Sequence, residues 1–330
     1  MVRPITRRPL VGALLGAPLL ARGAAGAEPA RTTGWSPARP VRFVIAFPPG
    51  GSSDIAGRWL ARKLSPRLGQ PVVVENRPGA NGILGSQHVA GSPPDGHTML
   101  LTTADTHSVN PVVYRRLPYR PQDFLPVAPV ARLVFALAAR RGLGVHDAEG
   151  FVHAARRAPI PLTFSSWGVA STSQVMMETF RAEHGFDMRH VPFQGSASAV
   201  AALLADQVDS MMAPVGLAVA QGGRLPILGV AAARRFPGAP EVATLAEQGF
   251  PLVGDLWVAL LAPPGTREAV AERMAAEVHA VVATAEAADF LIATGLMPDT
   301  QDRTRFLAHL RDEDAVWRAR VGRLGIRLDE

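Results

Sequence analysis

Three stretches rich in glycine and hydroxyl-bearing residues carry the side chains best suited to hold a ligand. The first, residues 47–54, reads Phe-Pro-Pro-Gly-Gly-Ser-Ser-Asp and precedes a run with helical apolar spacing. Glycines let the backbone approach a ligand closely, and the N–H groups of a helix start attract an anion. This stretch predicts either an anion site or a plain N-cap at Ser52, Ser53 or Asp54 with no ligand.

The other two stretches add hydrogen-bond donors in similar positions. Residues 76–85 space their glycines G-x-x-G-x-x-G, which is not the G-x-G-x-x-G of dinucleotide-binding proteins. We expect them to supply a second helix start at a cleft. Residues 102–107 and 165–173 are dense in Ser and Thr. Their hydroxyls suit carboxylate oxygens, although ordinary turns and caps account for many of them.

Motifs for catalysis, metal binding and cofactor binding are missing. The first stretch lacks the Lys-Ser/Thr of a P-loop, and the chain holds neither G-x-S-x-G nor H-E-x-x-H. There is no cysteine. His88, His97 and His107 do not have helical ligand spacing, so we expect surface or capping roles for them. We predict no catalytic residue, no metal and no cofactor; the alternative is an exported hydrolase that uses Ser52 or Ser53.

Strands alternate with helices around these stretches. We predict strands at residues 41–46, 71–75, 98–102, 133–139, 162–164, 189–193, 209–213, 227–232 and 257–261. We predict helices at residues 55–68, 83–90, 148–157, 174–184, 198–205, 267–284, 288–294 and 301–321. This alternation is typical of α/β proteins with parallel sheets, whose ligands bind beyond the carboxyl ends of the strands. Two groups of such units predict two α/β lobes.

Residues 1–27 have the features of a signal peptide. Arg3, Arg7 and Arg8 precede an apolar run that is too short for a transmembrane helix, and residues 25–27 (Ala-Gly-Ala) match a signal-peptidase site. The adjacent arginines also suit a twin-arginine signal, so the general secretory and twin-arginine routes are both open. We expect an exported, periplasmic protein.

The charge distribution argues against nucleic acid as a partner. Cleavage of the leader removes four arginines and no acidic residue, so the formal net charge falls from +6 to +2. The remaining arginines are scattered, without a basic stripe interleaved with aromatic residues. A modest positive field favours small anions as ligands.

Six stretches carry a family resemblance. They are residues 44–54, 69–80, 93–98, 110–119, 190–195 and 260–266. The first reads Val-Ile-Ala-Phe-Pro-Pro-Gly-Gly-Ser-Ser-Asp and the second Gly-Gln-Pro-Val-Val-Val-Glu-Asn-Arg-Pro-Gly-Ala. In this order they resemble the periplasmic receptors of tripartite tricarboxylate transporters, the Bug family, from about Pro40 to the C-terminus.

The resemblance implies a type II-like two-lobed periplasmic binding protein fold. Each lobe would be a mostly parallel sheet flanked by helices, and two crossover segments would join the lobes. Lobe 1 would comprise residues 38–134 and 233–330, and lobe 2 residues 135–232. A small organic carboxylate would bind between the lobes, and the receptor, a monomer, would deliver it to membrane permease subunits. The alternative is a receptor that reports to a two-component sensor without transport.

The family's binding positions, carried over motif by motif, give a set of candidate ligand contacts. They are Phe47, Gly51, Ser52, Ser53, Asp54, Thr103, Asp105, Ser165, Ser166, Gly168, Ser171, Thr172 and Phe193. Three departures make the lobe 2 side less polar. Residues 167–170 replace Gly-Asn-Gly-Thr, residues 193–195 replace Tyr-Lys-Gly, and residues 209–214 lack a common Asp. They imply a ligand with a less charged far end, such as a monocarboxylate or an aromatic acid.

Overall fold

The computed structural model describes residues 34–328 of the 330-residue chain, so the predicted signal peptide lies outside the described residues. The strands are β1 (Val41–Ile45), β2 (Val72–Asn76), β3 (Thr98–Thr103), β4 (Leu125–Ala139), β5 (Leu162–Ser166), β6 (Met188–Pro192), β7 (Ser210–Pro214), β8 (Ile227–Val230), β9 (Asp255–Ala262) and β10 (Leu296–Pro298). The helices are α1 (Ser52–Leu68), α2 (Ile83–Ala90), α3 (Asn110–Val113), α4 (Ala148–Arg157), α5 (Thr172–His184), α6 (Ser196–Leu204), α7 (Val215–Val219), α8 (Glu268–Val282), α9 (Ala285–Ala293) and α10 (Arg303–Leu324).

The strands form one mixed, curled sheet in the order β2-β1-β3-β9-β4-β7-β5-β6, and β8 and β10 also pair with β4. Parallel pairing joins β1 to β2 and β3, and it joins β5 to β6 and β7. Strands β9 and β4 run antiparallel to their neighbours. Two parallel groups, each with its strands ending toward the other, are therefore joined through an antiparallel centre.

Strand β4 joins the two groups because it pairs with different strands along its length. Residues 125–134 pair with β9, and residues 135–139 pair with β7 and β8. The chain returns from β8 to β9 through residues 231–254. The predicted lobe boundaries, 134/135 and 232/233, lie in these two passages, and they stay predictions.

Buried apolar side chains fix the helices against the sheet. Helix α1 buries Trp59, Leu60 and Leu64, and the Trp59 ring stacks on Phe290 of α9 with ring centroids 5.3 Å apart. Burying a side chain of this size contributes about 1.5–3 kcal/mol. Because α1 starts directly after the loop that follows β1, this packing also fixes the position of its first turn.

Most predicted elements are present with small shifts at their ends. Strand β4 is longer than predicted and begins at Leu125, and helices α5 and α6 begin earlier than predicted, at Thr172 and Ser196. After β3, where the sequence predicts neither helix nor strand, a π-helical turn (Asp105–Val109) leads into α3. Helix α7 and strand β10 are not in the prediction. Within the described part of the chain, no helix has the length and apolar character needed to cross a membrane.

Candidate ligand-binding site

A cavity of about 210 Å³ lies where the two parallel groups of strands face each other. It is lined by Phe47, Pro48, Pro49, Gly51, Ser52, Ser53, Thr103, Asp105, Leu133, Trp167, Gln194, Gly195, Ser196, Ala197, Ser198, Pro214 and Leu256. Loops after β1 and β3 contribute from one group, and loops after β5 and β6 contribute from the other. The cavity therefore lies at the carboxyl ends of strands, as open α/β sheets lead one to expect.

The first turn of α1 forms one wall. Ser52 and Ser53 are buried there, and the N-cap residue, Gly51, has no side chain to accept their N–H groups. The first N–H groups of an α-helix have no partner within the helix. Together with the helix dipole, they make this wall a donor surface for an anion.

Asp54 sits in the same turn but is committed to other partners. Its carboxylate accepts hydrogen bonds from the Gly50 amide at 3.0 Å, from Arg58 Nε at 3.0 Å and from Asn76 Nδ2 at 2.8 Å. Burial disfavours its charge, but the hydrogen bonds from Arg58, Gly50 and Asn76 outweigh burial and lower the pKa of Asp54. Asp54 thus holds the loop after β1 in shape, and its charge is compensated by Arg58.

The first turn of α6 forms the opposite wall. Its N-cap residue is Gly195, which again offers no side-chain acceptor, and Ser196, Ala197 and Ser198 follow along the cavity. The Ser198 hydroxyl donates to the Gln194 carbonyl at 3.0 Å and to the Gly195 carbonyl at 2.9 Å. These bonds order the loop but leave the amides of the first turn facing the cavity without a side-chain cap.

The two helix starts approach each other closely. A Cβ atom on Gly51 would lie 3.2 Å from Ser196 Oγ, and one on Gly195, which has a φ of +100°, would lie 2.9 Å from Pro48 Cγ. Gly195 therefore needs glycine, both for space and for its backbone conformation, whereas a Cβ on Gly51 would require only a small shift of the Ser196 hydroxyl. The result is a narrow space with backbone N–H groups on two sides.

Asp105 connects the two sides of the cavity. Its Oδ1 accepts from the Thr172 amide at 2.7 Å, and its Oδ2 accepts from the hydroxyls of Thr103 at 2.7 Å and Thr172 at 3.1 Å. Trp167 Nε1 donates to Oδ1 at 3.4 Å. Burial raises the pKa of Asp105, although the hydrogen bonds from Thr172, Thr103 and Trp167 oppose the shift.

This contact changes the role of the α5 start. The sequence predicts that Ser171 and Thr172 contact a ligand, but the structure places them behind the cavity wall. The Thr172 amide is taken by Asp105, and the Ser171 side chain accepts from the Gln174 amide. An internal carboxylate therefore already occupies the place at this helix start that a ligand would take.

Apolar side chains complete the cavity. Leu133 of β4 and Leu256 of β9 are register partners, and Pro214 ends β7 beside them. The Trp167 ring stacks on Phe135 with centroids 5.7 Å apart and an interplanar angle of 11°. This surface lies beside the donor walls and suits the hydrocarbon part of a ligand.

The structure brings only part of the predicted contact set to the cavity. Phe47, Gly51, Ser52, Ser53, Thr103 and Asp105 line it, whereas Gly168 and Phe193 line a neighbouring cavity of about 420 Å³. Asp54, Ser165, Ser166, Ser171 and Thr172 line neither. Ser165 Oγ donates to the Ala199 carbonyl at 3.3 Å, and Ser166 Oγ bonds His190 Nε2 at 2.7 Å, so their hydroxyls serve the fold.

The residues at the start of α6 and the apolar surface are not among the predicted ligand contacts. A signal for α6 was present, because Phe193 to Ser196 reads Phe-Gln-Gly-Ser and matches the end of the Pro-Pro-Gly-Gly-Ser run before α1. Both runs place Gly-Ser at a helix start, at the end of the loop that follows a strand. Leu133 and Leu256 gave no such signal, because they lie opposite each other only through pairing of strands that are more than a hundred residues apart in the chain.

The histidine prediction is wrong for His107. Its ring packs against Phe124 and Trp257, with centroids 5.0 and 6.2 Å away, and burial lowers the pKa of His107 to about 3. It is therefore a neutral member of an aromatic cluster. No group of three or more potential metal-binding side chains occurs among residues 34–328, and no histidine belongs to the described cavity wall.

Comparisons with known proteins agree on one family. The family model described as the tripartite tricarboxylate transporter family receptor (TctC) matches residues 56–325. BugT of Bordetella pertussis is 31% identical over 299 residues, which cover 88% of this chain and 91% of BugT.

Two solved structures have the same fold. Rpa4515 of R. palustris, solved with adipate, has a TM-score of 0.85 and 29% identity and covers 88% of this chain and 99% of its own. MatC (Rpa3494) from Rhodopseudomonas palustris with bound malate has a TM-score of 0.80 and 30% identity and covers 86% of this chain and 99% of its own. The predicted fold class, a two-lobed α/β periplasmic binding protein, is confirmed.

Proposed function

Because this chain belongs to the tripartite tricarboxylate transporter family of receptors, we propose that it captures a small organic carboxylate in the cavity between α1 and α6. The observation that carries the proposal is the pair of helix starts that face one cavity without side-chain caps. Each offers backbone N–H groups and a positive dipole end to an anion. Adipate and malate in the two similar structures support a carboxylate as the ligand class.

Closure of the two lobes would trap the acid. Strand β4 and residues 231–254 are the only described segments that pass from one strand group to the other, which suits a hinge. The bonds from Thr172 and Trp167 to Asp105 would form when the lobes close, because their partners belong to different strand groups. We take residues 38–134 with 233–330, and residues 135–232, as the two lobes.

Delivery to membrane permease subunits would follow capture. We propose that the chain is exported to the periplasm, that its leader ends at residue 27, and that it acts as a monomer that docks on the permease in its closed form. A receptor that reports to a sensor and feeds no transporter is the alternative. Neighbouring genes for a large and a small membrane subunit would favour transport.

Binding is tested with the purified mature chain and a panel of small acids. Isothermal titration and thermal unfolding should show a carboxylate that binds and raises the unfolding temperature, since a ligand at 100 times its Kd stabilises a protein by about 2.7 kcal/mol. An esterase assay on the same sample should stay flat. If no acid produces heat or shifts the unfolding temperature, and the protein hydrolyses an ester, the hydrolase alternative is supported instead.

A further inference from the structure

The charge of the cavity wall limits how many carboxylates a ligand can carry. Among the described residues that line the cavity, Asp105 is the only one with an ionisable side chain. The donors for a first carboxylate are amides and hydroxyls at the starts of α1 and α6. Lys, Arg and His are missing from this lining, so a second carboxylate would find no cationic side chain to pair with there.

Asp105 makes a second carboxylate still less favourable. It takes part in the wall, and its own charge is balanced only by uncharged donors, namely the Thr172 amide, the hydroxyls of Thr103 and Thr172, and the Trp167 indole. Like charges in a poorly solvated cavity repel more strongly than in water. A second carboxylate next to Asp105 would therefore be repelled when Asp105 is ionised.

The apolar surface is suited to the rest of the ligand. Leu133, Leu256 and Pro214 lie side by side through strand pairing, and Trp167 adds an aromatic face held by Phe135. A hydrocarbon body placed there would replace water on apolar surface, at about 25 cal/mol per Å² buried. A carboxylate placed there would lose its hydration without gaining a donor.

Trp167 also limits the length of a bound ligand. It lines both this cavity and the neighbouring one of about 420 Å³, as do Phe47, Pro48, Gln194 and Gly195. The Trp167 carbonyl accepts from the Gly195 amide at 3.2 Å, so both ends of the residue are held in place. A cavity of about 210 Å³ is below the ~300–1,000 Å³ typical of sites for drug-sized ligands.

We propose that the ligand is a monocarboxylic acid with a compact apolar body, and that a dicarboxylate of the same skeleton binds more weakly. This inference rests on the proposed function, because it assigns the kind of acid that the same site takes. It sets this chain apart from the structures solved with adipate and malate, whose ligands carry two carboxylates.

Matched acids provide the test. Isothermal titration of the mature chain is carried out with hexanoate against adipate and with benzoate against terephthalate, so that each pair differs only in the second carboxylate. We expect the monoacid to bind at least tenfold more tightly in at least one pair. Tighter binding of the diacid in both pairs would overturn the inference and leave the proposed function intact. No binding of any acid would overturn the proposed function itself.

A charge added to the wall gives an independent readout. Gln194 is exposed and lines the cavity, so Gln194→Lys should fold normally and supply the missing cation. We expect the preference for hexanoate over adipate to fall about tenfold in Gln194→Lys and to stay unchanged in the neutral control Gln194→Met. If the ratio of the Kd values for adipate and hexanoate is unchanged in both variants, the role assigned to the charge of the cavity wall is contradicted.

Discussion

Replacing Ser52 by proline removes one backbone N–H donor and leaves helix α1 intact. Ser52 is the first residue of α1, a position where proline is favoured because its missing N–H has no partner within the helix. The preceding residue, Gly51, has φ −80° and ψ 168°, which a following proline accepts. Ser52→Ala is the matched control, since it removes the hydroxyl and keeps the N–H group.

The size of the effect follows from the bond that is lost. A hydrogen bond to a charged group contributes about 1.5–3 kcal/mol, which corresponds to about 10- to 150-fold in Kd. We expect isothermal titration to show Ser52→Pro weaker than Ser52→Ala by this factor for the best-binding acid. The pair Ser196→Pro and Ser196→Ala should behave likewise at the start of α6. Equal Kd values for the proline and alanine variants at both helices would refute the claim that amides hold the carboxylate.

Three further predictions concern stability. Burial opposes the charge of Asp209, but hydrogen bonds and Arg140 lower its pKa below 3.8, so its stabilising effect is present above that value and fades as pH falls through the folded-state pKa. Asp209→Asn should therefore lower the unfolding temperature at pH 7, and a difference from the unsubstituted protein that did not shrink as the pH was lowered through the acidic range would contradict this. Asp147→Ala removes the N-cap of α4 and should cost about 1 kcal/mol in thermal unfolding. Gly216→Ala would place a Cβ 2.1 Å from a backbone carbonyl oxygen and should cost ~3 kcal/mol in urea unfolding, whereas Gly322→Ala, which has open space within α10, should stabilise the protein by up to about 1 kcal/mol.

Local patterns were enough to predict most elements. The helical spacing of Trp59, Leu60 and Leu64 placed α1, and buried apolar runs placed β1 and β3. The first half of β4 was missed because Pro126 and Pro129 argue against a strand. The structure accommodates both prolines at irregularities in the pairing with β9, which are features of tertiary structure.

In the candidate site, too, local features could be predicted from the sequence and long-range contacts could not. Glycine, serine and strand–helix order pointed to the α1 start, because a helix N-terminus is a local feature. The role of Asp105 could not be foreseen, since it depends on a contact with Thr172 across 67 positions of the chain. The same holds for Trp167, whose position depends on a contact with Phe135 of β4.

A crystal structure of the mature protein with its tightest-binding acid tests the central claim most directly. We expect carboxylate oxygens within about 2.7–3.2 Å of the first-turn amides of both α1 and α6. We also expect the hydrocarbon body of the acid to lie against Leu133, Leu256 and Trp167. A carboxylate held by an arginine or lysine outside this cavity, with the two helix starts turned toward solvent, would contradict it.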